Sequence, residues 1–287
     1  YFLNNGYNVK KRSQVLGDLT RSKFTIAVAG THGKTTTSTM IAHLLHSAGE
    51  QCTAFLGGIS TNLNSNLLIA EDEMEQVIVV EADEFDRSFL QLQPSFAAIT
   101  SLDPDHLDIY DSPKAFQEAF ETFAAQVTEV TVLGPEVALK GLRIGEAYQV
   151  KNTKLEGVGY GADFYLNSED ALPVEVAVIG PHNLKNALMA AALAHEIGIP
   201  SQAIQEALAS FQGIQRRMHV IEWQPELFLV DDYAHHPSEI KAVINGARQV
   251  NKKRKIICVF QPHRYSRVKL LKSEFASSFK SHFNLLN

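Results

Sequence analysis

A glycine-rich segment with a lysine and threonines follows the first strand-like run of the chain. Residues 24–29 are apolar or β-branched, and a helical pattern begins at residue 35. Between them lies the phosphate loop, which consists of Gly30, Thr31, His32, Gly33, Lys34, Thr35 and Thr36. In a strand–loop–helix arrangement, backbone N–H groups and the helix N-terminus bind phosphate groups. Lys34 is therefore expected to neutralise the β- and γ-phosphates of a nucleotide, and the Thr35 hydroxyl to bind Mg²⁺. Val28 stands where the common pattern has a glycine, so the loop is a variant, and a chance Gly-Lys-Thr is the alternative.

Acidic residues follow two further strand-like runs. Residues 76–80 lead into a Glu-Ala-Asp-Glu segment that begins at Glu81, and residues 96–100 lead into a segment in which His106 stands among three aspartates. A carboxylate at a strand end beside a phosphate loop suits Mg²⁺, and Glu81 is the first candidate. His106 could help hold a second Mg²⁺ or orient a phosphate. A solvated acidic turn, a structural histidine and carboxylate helix caps are the alternatives.

Two asparagines open a long alanine-rich helical pattern. Asn183 and Asn186 are spaced i, i+3, so they share one face of the first turn. Two carboxamides there could bind an adenine edge. From the spacing alone, capping of the helix is the stronger interpretation.

The chain carries a second group of candidates between residues 213 and 237. Arg217, which follows Arg216, suits bidentate contact with phosphate, with surface solvation as the alternative. At the next strand end, Asp232 could accept hydrogen bonds from ribose hydroxyls, and Tyr233 could stack on a base. His235 and His236 form a pair without a third nitrogen or sulfur ligand at a recognisable spacing, so zinc is disfavoured.

A basic segment follows the strand-like run 256–260. It contains His263, Arg264 and Arg267 within five positions. Such a group could bind a carboxylate or stabilise a transferring phosphate. A solvated basic loop is the alternative.

Strand-like and helical runs alternate along the chain, which favours an α/β fold with a mostly parallel sheet. Strands are predicted over residues 24–29, 76–80, 96–100, 129–133, 175–179, 227–230 and 256–260, and helices over residues 35–48, 113–126, 183–197, 201–210, 237–250 and 269–282. Residues 134–173 are glycine-rich without a long period, and loops or small β elements are expected there. In parallel sheets ligands bind beyond the carboxyl ends of the strands, where the candidate residues stand.

Length and composition restrict the class of protein. A chain of 287 residues predicts about two domains, and 45% hydrophobic with 20% charged residues is ordinary for a globular protein. No apolar run reaches the ~20 residues of a membrane helix. Cys52 and Cys258 stand far apart with no Cys-X-X-Cys spacing, which suggests buried thiols in a reducing compartment, the cytoplasm. The net charge of −6 argues against general nucleic-acid binding.

Charge is distributed unevenly. Residues 71–86 carry eight acids and no Lys or Arg, whereas residues 248–287 carry ten Lys or Arg and one acid. The two regions could hold a phosphate-rich ligand between them, or could be two solvated faces. Because the chain starts at Tyr1 and stops without a terminal motif, we expect it to be a piece of a longer protein.

Taken together and in order, these motifs resemble the Mur ligase family, whose phosphate loop is the same variant. The resemblance covers residues ~11–287 and implies an α/β protein with a central P-loop ATPase domain. It assigns residues 1–20 to the remnant of an N-terminal UDP-sugar-binding domain and linker, 21–213 to the ATP-binding domain, and 214–287 to part of a Rossmann-like C-terminal domain that binds the amino acid.

The resemblance also implies an activity. ATP would phosphorylate the lactyl carboxylate of UDP-N-acetylmuramate, and L-alanine would attack the resulting acyl phosphate to form an amide. Lys34 would bind phosphates, Thr35 and Glu81 the first Mg²⁺, and His106 would help hold the second. Asn183 and Asn186 would face adenine, Arg217 would contact the phosphates and Asp232 the ribose. The residues near the amino acid and the acyl phosphate would be His235, His263, Arg264 and Arg267. Oligomeric state is not indicated by the sequence.

Three other functions stay open. A related recycling ligase, which joins an intact tripeptide to the same sugar nucleotide, would suit Arg216, Arg217 and Met218. A nucleotide-binding switch or regulatory ATPase would use the phosphate loop without ligation, and a phosphotransferase would give a stable phosphorylated product. Folylpolyglutamate synthetase shares the implied architecture, but its folate-site features are not visible here.

Overall fold

The structure is a computed structural model of the 287-residue chain. It describes residues 1–72, 76–103, 110, 112–157, 159–168, 170–224, 227–250, 252 and 254–283.

A seven-stranded sheet forms the centre of the molecule. Its strands are β1 (Thr25–Ala29), β2 (Cys52–Ser60), β3 (Ser65–Leu68), β4 (Val77–Glu81), β5 (Phe96–Ile99), β6 (Val130–Leu133) and β7 (Leu142–Arg143). They lie in the order β3-β2-β4-β1-β5-β6-β7, and every neighbouring pair except β2 and β3 is parallel. The mostly parallel α/β architecture expected from the sequence is therefore confirmed.

Helices cover both faces of this sheet. They are α1 (Arg12–Thr20), α2 (Lys34–Ser47), α3 (Pro113–Gln126), α4 (Pro181–Glu196) and α5 (Ser201–Ser210), with 3₁₀ helices at Leu3–Asn5 and Phe85–Gln91. Successive β1 side chains point to opposite faces. Ile26 and Val28 accordingly join the core formed with α2, α4 and α5, while Ala27 and Ala29 join the core formed with α3.

Local signals account for α3, whose bounds match the prediction. Ser112 is the N-cap and its side chain accepts a hydrogen bond from the Ala115 N–H at 3.1 Å, and Pro113 occupies the first helical position. Phe116, Phe120 and Phe123 lie on one face and are fully buried. Capping and helical periodicity therefore agree at this element.

A second sheet occupies the glycine-rich region. It contains β8 (Tyr148–Glu156), β9 (Gly159–Leu166) and β10 (Leu172–Val176), antiparallel in the order β10-β9-β8. The strand predicted at residues 175–179 overlaps β10 at only two positions, since β10 begins at Leu172 and ends at Val176. β7, β8 and β9 lie in residues 134–173, where loops or small β elements were expected. No element was predicted at α1, β2, β3 or residues 219–224.

The C-terminal part consists of β11 (His219–Gln224), β12 (Leu227–Asp231), α6 (Pro237–Val250), α7 (Tyr265–Leu270) and α8 (Lys272–Phe283). β11 and β12 form an antiparallel pair, and Ile240, Ile244 and Phe275 form a small separate core.

Two predictions in this part were wrong. Residues 256–260 form no strand, because a strand needs a hydrogen-bonded neighbour and β11 and β12 pair only with each other in the described chain. Ile257 and Val259 are 76% and 94% exposed as a result. Cys258 between them is also exposed, so its predicted burial was wrong, whereas Cys52 is buried as predicted. The helix predicted at 269–282 is instead two helices, since Leu271 leaves helical geometry with φ −106° and ψ 28°.

No helix among the described residues is long and apolar enough to cross a membrane.

Candidate active site

The phosphate loop connects β1 to α2 at the carboxyl end of the central sheet. Gly30 has φ +124°, and a Cβ there would lie 2.8 Å from the Ser101 nitrogen, so only glycine allows this approach to the end of β5. Gly33, with φ +85°, is the N-cap of α2. The loop therefore presents the helix N-terminus, where backbone N–H groups and the helix dipole favour an anion.

Lys34 is held across the loop by a buried carboxylate. Its Nζ donates to the Gly30 carbonyl at 2.7 Å and to both oxygens of Glu84 at 2.7 and 2.9 Å. Glu84 is 1% exposed, and burial raises the pKa of its carboxyl although the Lys34 charge opposes this. The sequence pattern identified Glu84 only as part of an acidic segment and did not predict its pairing with Lys34.

Glu81 ends β4 beside the same loop. Its Oε2 is buried without a hydrogen-bond partner among the described residues. A Cβ on Gly57 would collide with that carboxylate, so the glycine makes room for it. An orphaned carboxylate oxygen that lines the same cavity as Thr35 fits a hard cation such as Mg²⁺. This ion takes one or two protein ligands and completes its shell with phosphate oxygens and water.

These residues line a cavity of about 270 Å³, here called the loop cavity. Its wall brings together the phosphate loop, residues of α2, β2, β4 and α6, and residues that follow β4 and β12. The lining residues are Thr31, His32, Gly33, Lys34, Thr35, Thr36, Gly57, Glu81, Asp83, Glu84, Arg217, Tyr233, His235 and Glu239. The residues expected to bind phosphate thus line the same cavity as His235, which is expected to lie near the amino-acid substrate.

A second cavity of about 410 Å³, here called the amide cavity, lies on the other side of His32 and Gly33. Asn183 and Asn186 line it and are both buried. Asn186 donates to Asn183 Oδ1 at 3.1 Å, and Asn183 donates to the Ile179 carbonyl at 2.7 Å. Gly180, not an asparagine, is the N-cap of α4, so the capping interpretation was wrong.

Asp232 reaches the amide cavity from the end of β12. Its two oxygens accept the N–H groups of Met218 and Ala234, each at 2.6 Å. Burial raises the pKa of this carboxyl, while the two N–H groups and the Arg217 charge oppose the shift. The backbone contacts fix the orientation of the carboxylate.

Tyr233 lies under two guanidinium groups. Arg216 and Arg217 stand 4.9 and 5.6 Å from its ring centroid. Arg217 lines both cavities, whereas Tyr233 lines only the loop cavity. Its predicted stacking on a base therefore lacks support from its location, while Arg217 is well placed for either end of a nucleotide.

The remaining candidates are placed unequally. The His263 ring stands 6.2 Å from the His235 ring, and Arg264 lies 5.0 Å from the Phe85 ring, just beyond Glu84. Arg267 is buried in α7 and lines neither cavity. His106 lies outside the described residues. His235, His263 and Arg264 thus approach the loop cavity, and Arg267 does not.

Glu239, in the first turn of α6, was missed by the sequence analysis. Its Oε2 accepts the N–H groups of His235 and His236 at 3.0 and 3.2 Å, and its Oε1 lies 3.5 Å from His32 Nδ1. Burial would raise the pKa of this carboxyl, but the adjacent His32 ring and the charge of His235 hold it well below its usual value. The signal was present as Pro237 at the first helical position with a glutamate at the third.

Family models match most of the chain. The Mur ligase middle domain matches residues 28–194, and the Mur ligase glutamate ligase domain matches residues 216–285. The chain belongs to the Mur ligase family. The middle-domain match contains the phosphate loop, Glu81 and both asparagines, and the second match contains Arg217, Asp232 and Glu239.

Curated relatives include UDP-N-acetylmuramate–L-alanine ligases from Flavobacterium psychrophilum and Flavobacterium johnsoniae. They are 43% identical over 292 residues and 45% identical over 284 residues. These alignments cover 100% and 97% of this chain but 64% and 63% of the relatives, so the chain spans under two thirds of their length.

Solved Mur ligases share the fold. The UDP-N-acetylmuramate–alanine ligase MurC of Thermotoga maritima superposes with TM-score 0.78 at 29% identity, over 94% of this chain and 67% of that one. A ligase from Neisseria meningitidis that acts on UDP-N-acetylmuramate and a tripeptide has TM-score 0.66 at 25% identity, over 75% and 74%. Lactobacillus casei folylpolyglutamate synthetase, with TM-score 0.71 at 16% identity over 94% and 84%, shares the fold alone.

Proposed function

We propose that the protein is an ATP-dependent carboxylate–amine ligase that joins L-alanine to UDP-N-acetylmuramate in peptidoglycan precursor synthesis. The observation that carries the proposal is the loop cavity, which is lined by both the phosphate loop and His235. The similarity to enzymes of that name at 43% and 45% identity supports the choice of substrates.

ATP would extend across both cavities. The base would lie in the amide cavity, where Asn186 retains an oxygen and Asn183 an N–H for its polar edge. Asp232 would accept ribose hydroxyls, and Arg217, which lines both cavities, would contact phosphates. The triphosphate would reach the phosphate loop. There it would replace Glu84 as the anion that pairs with Lys34.

Mg²⁺ would be held by Thr35 and Glu81 together with phosphate oxygens, and His106 would help hold a second ion. When bound, the metal supplies charge neutralisation for the phosphoryl oxygens. The fit rests on the orphaned Oε2 of Glu81 and the space left by Gly57.

Lys34 and the loop N–H groups would hold the γ-phosphoryl group while a carboxylate oxygen of the sugar nucleotide attacks phosphorus. The new P–O bond gives an acyl phosphate, and ADP leaves. The alanine amine then attacks the acyl carbon, the C–N bond forms, inorganic phosphate leaves, and the nitrogen loses a proton. These roles position charges rather than supply a covalent group.

His235 is the candidate acceptor of that proton. Its Nδ1 lies 2.8 Å from the Tyr233 carbonyl oxygen, which can only accept, so Nδ1 carries the hydrogen. In a neutral ring this leaves Nε2 as a lone-pair acceptor. His263 and Arg264 would bind the amino-acid carboxylate.

The domain division at residues 20 and 213, and a cytoplasmic location, are part of the same proposal. Cys52 and Cys258 are free thiols, which agrees with a reducing compartment. The recycling ligase is the second candidate, because a tripeptide ligase has the same fold at TM-score 0.66.

The deciding experiment measures phosphate release by the full-length protein with ATP, Mg²⁺ and UDP-N-acetylmuramate, with and without L-alanine. We expect release that needs both substrates, with one alanyl residue gained for each phosphate. Release with a tripeptide but not alanine would establish recycling. ATP binding without release for any acceptor would leave a nucleotide-binding switch, and a stable phosphorylated product a phosphotransferase.

A further inference from the structure

We propose that Glu239 is a positioning residue that ties α6 to the phosphate loop through His32 and thereby aligns His235 with the loop cavity. The inference rests on the proposed function, since His235 is the group being aligned. It concerns a contact between two parts of the chain that are far apart in sequence.

Three contacts join the loop to the start of α6. Glu239 Oε1 lies 3.5 Å from His32 Nδ1, and Ser238 Oγ lies 3.2 Å from His32 Nε2. The His236 ring stands 5.4 Å from the His32 ring. His32 and Glu239 also line both cavities, so the contact lies at the boundary between them.

The same carboxylate controls the backbone that carries His235. While Oε1 faces His32, Oε2 accepts the N–H groups of His235 and His236 and lies 3.6 Å from His235 Nδ1. A rigid carboxylate therefore connects the phosphate loop to the residue that would accept the amine proton. A shift at one end must be matched at the other, unless a hydrogen bond breaks.

The contact is poised to shorten. His32 Nδ1 is buried and has no hydrogen-bond partner among the described residues, while an ionised acceptor stands 3.5 Å away. A movement of a few tenths of an ångström would make a charge-assisted hydrogen bond. Active-site hydrogen bonds that are long in the free enzyme commonly tighten when substrate binds.

A capping role alone makes different predictions. A glutamate at the third helical position stabilises the helix start through the two N–H groups, whatever His32 does. In that case the effects of changing Glu239 and His32 would be independent. Coupling between them is the property that distinguishes a positioning contact from a cap.

The first test is a double-mutant cycle in the full-length protein with His32→Ala, Glu239→Ala and both. We expect each single change to lower kcat, with little change in the dissociation constant of MgATP, and the double variant to be no slower than the slower single. This departs from additivity by about fivefold or more. Glu239→Gln, which keeps an oxygen for the N–H groups, should retain the melting temperature and still lose kcat.

Glu274→Ala is the matched control, because Glu274 occupies the same third position in α8 and is exposed. Glu274→Ala should change neither kcat nor the coupling between His32 and Glu239 that the double-mutant cycle measures. Additive losses, or a Glu239→Ala effect confined to the melting temperature, would overturn the proposal.

The second test needs no activity and separates this inference from the proposed function. Hydrogen exchange of the His235 and His236 amides reports on how firmly Glu239 holds them. We expect His32→Ala to speed this exchange by about fivefold or more, and Glu274→Ala to leave it unchanged. Unchanged exchange in His32→Ala would overturn the contact even in an active enzyme. Faster exchange in an enzyme without ligase activity would retain the contact and reject the proposed function.

Discussion

The chemistry of the site depends on a few charged atoms whose partners come from distant positions. Lys34 and Glu84 form a bidentate pair in which the carboxylate is 1% exposed and the lysine 13%. A buried carboxylate keeps the cation in place before any phosphate arrives, and burial raises the pKa of the Glu84 carboxyl. In the proposed reaction, the bound triphosphate would replace the Glu84 carboxylate as the anion that contacts Lys34.

The variant Lys34→Ala tests the role of the Lys34–Glu84 pair in catalysis and in stability. We expect ligation to fall by about 100-fold or more, because a group that stabilises developing charge is removed. The variant should also lose about 3 kcal/mol of unfolding free energy, since Glu84 stays buried without its cation. Phosphate-release assays and urea unfolding measure the two effects.

Two further variants make the Lys34→Ala result interpretable. Lys114→Ala, whose side chain is 85% exposed, should behave as wild type. Lys34→Ala with Glu84→Gln should recover stability but not activity. Near-normal phosphate release by Lys34→Ala would reject the role given to this lysine.

At the scale of elements, α2 is buried on nearly every side, so its polar residues need internal partners. Thr39 and Ser38 donate to the Thr35 carbonyl at 2.7 and 3.1 Å. His43 Nε2 lies 3.0 Å from both the Ala207 carbonyl and Ser210 Oγ in the last turn of α5. The helix that begins with the phosphate loop is thus fixed by hydrogen bonds as well as by apolar packing.

His43 should make the fold acid-sensitive. Burial lowers the pKa of its imidazole below the usual 6.5, so the unfolded chain binds a proton that the folded chain does not. The contribution of His43 to the unfolding free energy is therefore complete above pH 6.5, and it decreases as the pH falls below the pKa of the unfolded chain. We expect His43→Gln to lose less unfolding free energy between pH 7 and pH 5.5 than wild type.

The His43→Gln variant should start about 1 kcal/mol lower at pH 7 because a buried hydrogen-bond pair is perturbed. His46→Gln, on an exposed position of the same helix, is the control; it removes only the smallest of the causes that shift the His43 pKa, so it should keep most of the wild-type pH dependence. Chemical unfolding at a series of pH values measures both, and equal slopes for His43→Gln and wild type would contradict the assignment.

At the scale of the molecule, the two cavities are built from both the central sheet and the C-terminal part. Asn183 and Asn186 come from α4, whereas Asp232 directly follows β12 and Glu239 comes from α6. His32 stands between the two groups. A nucleotide bound across the cavities would therefore connect the two parts of the chain.

MgATP should stabilise the full-length protein as one unit. Ligand at about 100 times its dissociation constant adds about 2.7 kcal/mol to the unfolding free energy. We expect a matching rise in melting temperature that EDTA largely removes. Glu81→Gln should bind MgATP more weakly because a metal ligand loses its charge, with Glu156→Gln on the distant β8 as control. A melting temperature that does not depend on magnesium would contradict the metal site.

Local patterns were sufficient for much of the molecule. The phosphate loop, the bounds of α3, α5 and α6, and the placement of Glu81 and Asp232 at strand ends all follow from residues close together in sequence. Capping residues, glycine geometry and hydrophobic periodicity act within a few positions. They are therefore readable from the chain itself, as is the family resemblance that the domain matches confirmed.

The sequence could not determine which distant group each charged atom meets. Lys34 pairs with Glu84, and His32 with Glu239, only because β1, β4 and α6 are brought to one edge of the sheet. Tyr233 lies under guanidinium groups instead of in the amide cavity, and residues 256–260 lack the neighbour that a strand requires. Hydrogen bonds and ion pairs need atoms within about 3–4 Å, and that proximity is a property of the tertiary fold.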